Sequence, residues 1–165
     1  TQDVDEFAIR VMMEYKGKKF KSISDGALDL ETEEEKEETK KTSEENQDMF
    51  KFMTEALEGK VKDVRLSTKL KSHPVCLSAE GNITIEMEKV LNAMPQNEGK
   101  EVKAEKCLEL NASHPVFAKL KELYATDKDK LKDYTKLLYS QARLIEGLSV
   151  EDPVEFANLM CKLMV

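Results

Sequence analysis

Two histidines and three cysteines are the residues best suited to metal binding or nucleophilic chemistry, and their spacing argues against both. His73 and His114 each precede a proline and lack cysteine or carboxylate partners at ligand spacing, so they are expected to cap helices or form turns. Cys76, Cys107 and Cys161 are scattered through apolar surroundings, which predicts free, buried thiols in a reducing compartment. The sequence therefore predicts no metal site and a cytoplasmic protein.

Catalytic patterns are missing as well. No nucleophile, base and orienting group can be identified together, as a small hydrolase or transferase would require. The sequence also lacks a glycine-rich loop of the kind that cradles phosphates. We expect no enzymatic activity and no cofactor bound by these 165 residues.

The charge of the chain is concentrated in one segment. The net charge is −7, and Asp29–Glu45 alone supplies nine acidic residues against three lysines. An acidic chain without a basic stripe repels phosphate backbones, so nucleic acid is not an expected partner.

Apolar runs such as Leu137–Tyr139 are far shorter than the roughly 20 residues that span a bilayer. Because the chain opens at Thr1 without a charged and apolar leader, we interpret it as part of a longer protein without a signal peptide.

The first third of the sequence predicts helices around a polar connection. Apolar residues recur at helical spacing over Asp3–Tyr15 until Gly17, and Lys18–Ser24 then alternates like an extended segment. Thr32 and Glu35 have the spacing of a capping box. The run Glu31–Glu38 has little apolar surface, which favours a solvated connecting segment.

A better helix follows this connection. Ser43 can cap it and Gly59 can end it. Its apolar face consists of Met49, Phe52, Met53, Ala56 and Leu57.

The middle of the sequence predicts a small sheet. Lys62–Thr68 alternates apolar and polar residues, and after the break at His73 the residues Val75, Leu77 and Ala79 repeat that period. Ala104, Lys106, Leu108 and Leu110 suggest a third strand, and a helix from about Ile83 to Met94 separates the last two. The fold class predicted is α+β, with a small three-stranded sheet and several helices.

The last third predicts helices that are too apolar for one chain to cover. Pro115 begins one helix, Thr126 can cap a second that runs to Gly147, and Asp152 caps a third. The final two helices each carry apolar residues beyond a single stripe. A second copy of the same hairpin would cover them, which predicts an intermolecular four-helix bundle.

Four separated strings resemble the ninety-kilodalton heat-shock protein chaperone family, in that family's order. Leu137–Gly147 with its continuation to Pro153 is similar to the end of the family's C-terminal domain. The other strings are Val64–Ser67 with Leu70 and Pro74, Leu108–Pro115, and Gly17–Ser22. The resemblance is closest to bacterial members, because Val165 ends the chain without the acidic motif that cytosolic eukaryotic members use to recruit cochaperones.

The resemblance implies a division of the chain and a role for it. Residues 1–30 would be the tail of the middle domain, 31–45 a charged connecting segment, and 46–165 the C-terminal dimerisation domain. The full-length protein would bind ATP and magnesium in an N-terminal domain, assist protein folding, and bind unfolded or partly folded proteins. Arg143 departs from the more apolar family pattern, and we expect its stem to be partly exposed.

Two sets of site residues follow from this resemblance. The expected homodimer interface consists of Leu137, Leu138, Gln141, Leu144, Ile145, Phe156, Leu159, Met160 and Leu163. The expected client-binding helix carries Ile83, Met87, Val90, Leu91 and Met94, since flexible methionines adapt to varied apolar partners. Both sets have an alternative interpretation as ordinary core. A monomeric adaptor that binds a partner helix in an apolar groove is the other function the sequence allows.

Overall fold

The computed structural model describes residues 5–20, 33–94 and 102–164. These residues contain seven helices and two small sheets, which confirms the predicted α+β class. The elements in chain order are α1 Asp5–Met12, β1 Glu14–Tyr15, β2 Lys18–Lys19, α2 Glu33–Glu45, α3 Gln47–Ala56, β3 Asp63–Leu66, β4 Val75–Glu80, α4 Ile85–Ala93, β5 Glu105–Leu110, α5 Pro115–Thr126, α6 Lys128–Ile145 and α7 Pro153–Met164.

The chain folds as two compact units. One unit contains residues 1–29 and 78–106, and the other contains residues 30–77 and 107–165. The predicted domain boundaries at residues 30 and 45 stay a prediction. The predicted capping box at Thr32 and the strand beyond Phe20 lie outside the described residues.

In the first unit, the opening helix is shorter than predicted. It ends at Met12, and Met13 adopts a left-handed φ of 58°. The chain then forms a tight antiparallel hairpin between β1 and β2, whose turn uses positive φ at Lys16 and Gly17. Glycine adopts such a backbone without steric cost, which suits Gly17 to this turn. In the same unit, Arg10 donates a hydrogen bond to the backbone carbonyl of Asn82 at 2.9 Å.

In the second unit, α2 continues through the position where a new helix was predicted to start. Ser43 lies inside α2 and does not cap α3, which instead begins after Asn46. The amide of Asn46 donates to the carbonyl of Thr42 at 2.7 Å. The buried face of α3 contains Phe50 in place of the predicted Phe52. Phe52 lies at the rim instead, where the ammonium group of Lys128 is 5.5 Å from the centre of its ring.

The three-stranded sheet has the order β3-β5-β4, with β3 parallel to β5. Strand β3 alternates as predicted, with Val64 and Leu66 buried. Strand β5 is buried on both faces over its last five residues, so Glu109 is as hidden as its apolar neighbours. A central strand is paired along both edges and can be covered on both faces. An alternating pattern predicts one exposed face and therefore does not predict this burial.

The helix ends of the last third show which capping residues were identified correctly. Nδ1 of His114 accepts a hydrogen bond from Val116 N at 3.2 Å, which confirms a capping histidine. Asp127 rather than Thr126 caps α6, because its carboxylate accepts from Lys130 N at 2.9 Å. Asp152 caps α7 as predicted. None of the helices in the described ranges has the length and apolarity needed to cross a membrane.

Candidate functional site

Helix α6 has two different apolar faces. Leu131, Leu138 and Ala142 on its inner face are at most 4% exposed and pack towards α3 and α5. On the outer side, Leu144 is 49% exposed and Ile145 is 43% exposed. The predicted interface residues Leu137 and Gln141 lie between these extremes and are partly exposed. The structure thus places most of the predicted α6 set on an open face and Leu138 in the core of its own unit.

Helix α7 lies against α6 and buries little of itself. Leu159 is its one buried residue among those described. Phe156 and Leu163 are partly exposed, whereas Met160 is 42% exposed. Outside the predicted set, Val154 and Met164 are exposed at 68% and 81%. The exposed apolar surface of α7 therefore extends beyond the residues predicted for the interface.

A charged cluster fixes the turn that joins these two helices. The guanidinium of Arg143 donates to Glu151 at 2.7 Å, to the hydroxyl of Tyr139 at 3.0 Å and to the carbonyl of Ser149 at 2.9 Å. Lys60 approaches the other oxygen of Glu151 at 2.9 Å. The side chain of Arg143 as a whole is 13% exposed and therefore mostly buried, and the partial exposure expected for its stem stays a prediction. This arrangement holds the start of α7 against the end of α6.

The cluster changes the proton affinities of its members. Burial raises the pKa of Glu151, but the hydrogen bond from Lys60 and the charges of Arg143 and Lys60 outweigh it, so that pKa lies below its ordinary value. Burial also raises the pKa of Tyr139, and the hydrogen bond from Arg143 offsets only part of that effect. Glu151 is thus a carboxylate and Tyr139 a neutral phenol at neutral pH.

Two further ion pairs join α7 to α6. Lys136 contacts Glu155 at 2.8 Å, and Lys162 contacts Asp133. Exposed pairs of this kind contribute only about 0–1 kcal/mol each to stability. They connect the two helices of the hairpin to one another. The exposed apolar residues therefore lie on two helices that are joined to one another by ion pairs.

The second candidate surface is on α4. Thr84 caps this helix by accepting from Met87 N at 3.2 Å, and Ile83 lies just before it. Met94, at the other end, is 48% exposed. The remaining members of the predicted set, Met87, Val90 and Leu91, are partly exposed.

Sequence reasoning missed the residue that anchors α4. Ile85 is its single buried residue among those described and is 6% exposed. The threonine cap at Thr84 was the signal that could have located the start of the helix and hence its inward face.

A third cluster, around Glu109 in β5, was not predicted. Its carboxylate accepts from Arg65 at 3.1 Å and from the hydroxyl of Ser67 at 3.0 Å, and the thiol of Cys76 is 3.8 Å away. Burial and the charge of Glu109 raise the pKa of Cys76 to about 12. The three cysteines are free as predicted, but of these only Cys107 is buried; Cys76 is partly exposed and Cys161 is exposed, contrary to the expectation of buried thiols.

Taken together, the described residues define an α+β protein with two apolar helix surfaces at its exterior, the make-up expected of a protein-binding module. Comparison with known families identifies it further: the model of the family described as Hsp90 protein matches residues 1–165. The chain therefore belongs to the Hsp90 family.

Individual relatives agree with this assignment. The chain is 57% identical over 164 residues to the chaperone protein HtpG of Clostridium botulinum strain Langeland, which is 99% of this chain and 26% of the relative. It is 59% identical over 165 residues to the chaperone protein HtpG of Shouchella clausii, again 26% of the relative's length. The chain thus spans about a quarter of the curated relatives it matches.

Proposed function

We propose that this chain is the C-terminal homodimerisation domain of an ATP-dependent molecular chaperone of the cytoplasm. The observation that carries the proposal is the open apolar face of the hairpin formed by α6 and α7, where Leu144, Ile145 and Met160 are each more than 40% exposed. Large apolar side chains exposed on one helical hairpin of a stable protein are typical of an interaction site. Membership of the Hsp90 family supports the chaperone role.

The occupant of this face is a second copy of the same hairpin. Two hairpins related by a two-fold axis form a four-helix bundle, in which each apolar face covers its equivalent. In this arrangement Leu138 and Leu159 pack beneath the contact without touching the partner, because each is already buried within its own unit. Leu137, Gln141, Phe156 and Leu163 would complete their burial in the dimer.

Dimerisation supplies a mechanism for the longer protein. ATP and magnesium would bind outside these 165 residues. A permanent contact at α6 and α7 raises the effective concentration of the paired nucleotide-binding regions, so their transient closure becomes an intramolecular event. The work of this chain is therefore to hold two copies together while the chemistry occurs elsewhere.

Contact with unfolded or partly folded proteins is assigned to α4. The specific observation is that its methionine and aliphatic residues stay partly exposed while a single apolar residue, Ile85, anchors the helix. Such a surface fits apolar segments of varied sequence. A monomeric adaptor that binds one partner helix is the competing function, and it predicts no self-association.

Light scattering on variants tests the proposed contact. Leu144→Glu introduces a charge on the open face of α6 and is expected to convert a dimer into a monomer, since an uncompensated charge at an apolar interface costs several kcal/mol. Ala118→Glu is the matched control, because Ala118 is exposed on α5, away from this face. Equal masses for the two variants would refute the proposed interface.

A further inference from the structure

Two polar side chains fasten α4 to the residues that lead into β5. Glu88 and Asn92 lie one turn apart on the side of the helix that also carries Ile85. Both oxygens of Glu88 are 2.6 Å from the ammonium group of Lys106, and one of them accepts from the backbone N–H of Ala104 at 2.7 Å. One turn later, the amide of Asn92 donates to the carbonyl of Val102 at 2.8 Å and accepts from its N–H at 2.9 Å.

These contacts differ in kind from a surface ion pair. The side chains of Lys106 and Glu88 are only 8% and 14% exposed. An ion removed from water in this way depends on its partner, and losing that partner leaves an uncompensated charge. By contrast, Glu86 pairs with Lys89 on the outer side of the same helix and is 48% exposed.

The polar attachment departs from the usual arrangement of an amphipathic helix. An amphipathic helix on a protein surface normally turns its apolar stripe inward and its charges outward. Here Glu88 is bonded inward to Lys106, Asn92 is itself exposed but is bonded to the backbone of Val102, and Met87, Val90 and Leu91 stay partly exposed.

We infer that Glu88 and Asn92 are positioning residues that fasten α4 to residues 102–106 and so keep its methionine and aliphatic side chains partly exposed, where client proteins can contact them. The inference rests on the proposed client-binding role of this helix. It assigns two further residues to the surface and gives its exposure a structural cause. Lys106 and the backbone of residues 102–104 act as the fixed side of the attachment.

Hydrogen exchange tests the attachment without any client. Glu88→Gln keeps the size of the side chain but removes its charge, and it should accelerate amide exchange across Ile85–Ala93 by at least about tenfold. Glu86→Gln, the matched control, should leave exchange unchanged. Equal exchange in the two variants would overturn the inference. The double variant Glu88→Lys and Lys106→Glu reverses the two charges and restores the ion pair. It should recover part of the protection of these amides against hydrogen exchange.

Binding of a permanently unfolded probe, reduced and carboxymethylated α-lactalbumin, tests the consequence. Glu88→Gln should weaken binding at least severalfold, whereas Glu86→Gln should not. Unchanged binding by Glu88→Gln despite faster exchange would overturn the claim that the attachment presents the surface.

Met87→Ser separates this inference from the proposed function. It removes part of the apolar surface and leaves Glu88 in place. If Met87→Ser also binds the probe normally, the proposed client site is wrong, and hydrogen exchange still decides whether the attachment exists.

Discussion

Charged residues inside apolar elements are the features that a single sequence locates least well. Glu109 lies between leucines in β5 and is 3% exposed. Its burial is tolerated because Arg65 and Ser67 donate to its oxygens, and these partners come from residues more than 40 positions away in the chain. Alternation predicts a strand at this position, but it does not predict which distant side chains neutralise the charge.

The thiols should differ sharply in reactivity. At pH 8 iodoacetamide should alkylate the exposed Cys161 first. Cys76 should react slowly, because a thiol with a pKa of about 12 is ionised to thiolate in only about one molecule in ten thousand at this pH. Cys107 is fully buried and should react only on opening.

Peptide mass spectrometry of samples quenched over time measures this order. In urea the three thiols should react at similar rates, which is the internal control. Alkylation of folded Cys76 as fast as Cys161 would contradict the assigned environment.

Glu151 should make stability depend on pH. Its pKa is lowered in the folded protein, so its contribution is present above the ordinary value of 4.5 and is lost as the pH falls through the lowered pKa. Glu151→Gln should therefore destabilise at pH 7 and not at pH values well below 4.5. The effect should be below about 1 kcal/mol, because the side chain is 42% exposed and screened by solvent.

Urea unfolding at several pH values measures this difference. Glu122→Gln removes the same charge from an exposed pair with Lys119 on α5 and serves as the control. A cost for Glu151→Gln that is the same at every pH would show that the carboxylate charge is not what holds the turn.

At the scale of elements, local rules succeeded where the stabilising contact is itself local. Asp152 and His114 cap their helices through bonds to residues two or three positions away, and both were identified from sequence. Thr126 and Ser43 were wrong, although each is a suitable capping residue. Thr126 instead donates to the carbonyl of Glu122, which keeps it within α5, and Asp127 provides the cap of α6. Choosing between adjacent capping residues requires knowing where the preceding helix ends.

The two faces of α6 should respond differently to truncation. Leu131 is fully buried, so Leu131→Ala should reduce the free energy of unfolding by about 2–5 kcal/mol. Leu144→Ala, on the open face, should cost less than about 0.5 kcal/mol once the dimer has been diluted to monomer. Urea unfolding at low protein concentration compares them. Similar losses for both would mean that Leu144 is already covered within its own chain.

For the whole molecule, the sequence could predict the α+β class and the excess of apolar surface on the last two helices. It could not predict which apolar residues lie in the core. Leu138 and Leu144 are the same amino acid on the same helix, and only the packing of α6 against α3 and α5 distinguishes them. The inward face of α4 was missed for a related reason. Besides Ile85, this helix is held by the polar contacts of Glu88 and Asn92, which a hydrophobic pattern does not reveal.

Sedimentation velocity of the unaltered chain over a wide concentration range is the most direct test of the central claim. The account predicts a species of twice 18.8 kDa that persists on dilution through the micromolar range. A species of 18.8 kDa at every concentration would contradict dimerisation through α6 and α7, and would favour the monomeric adaptor.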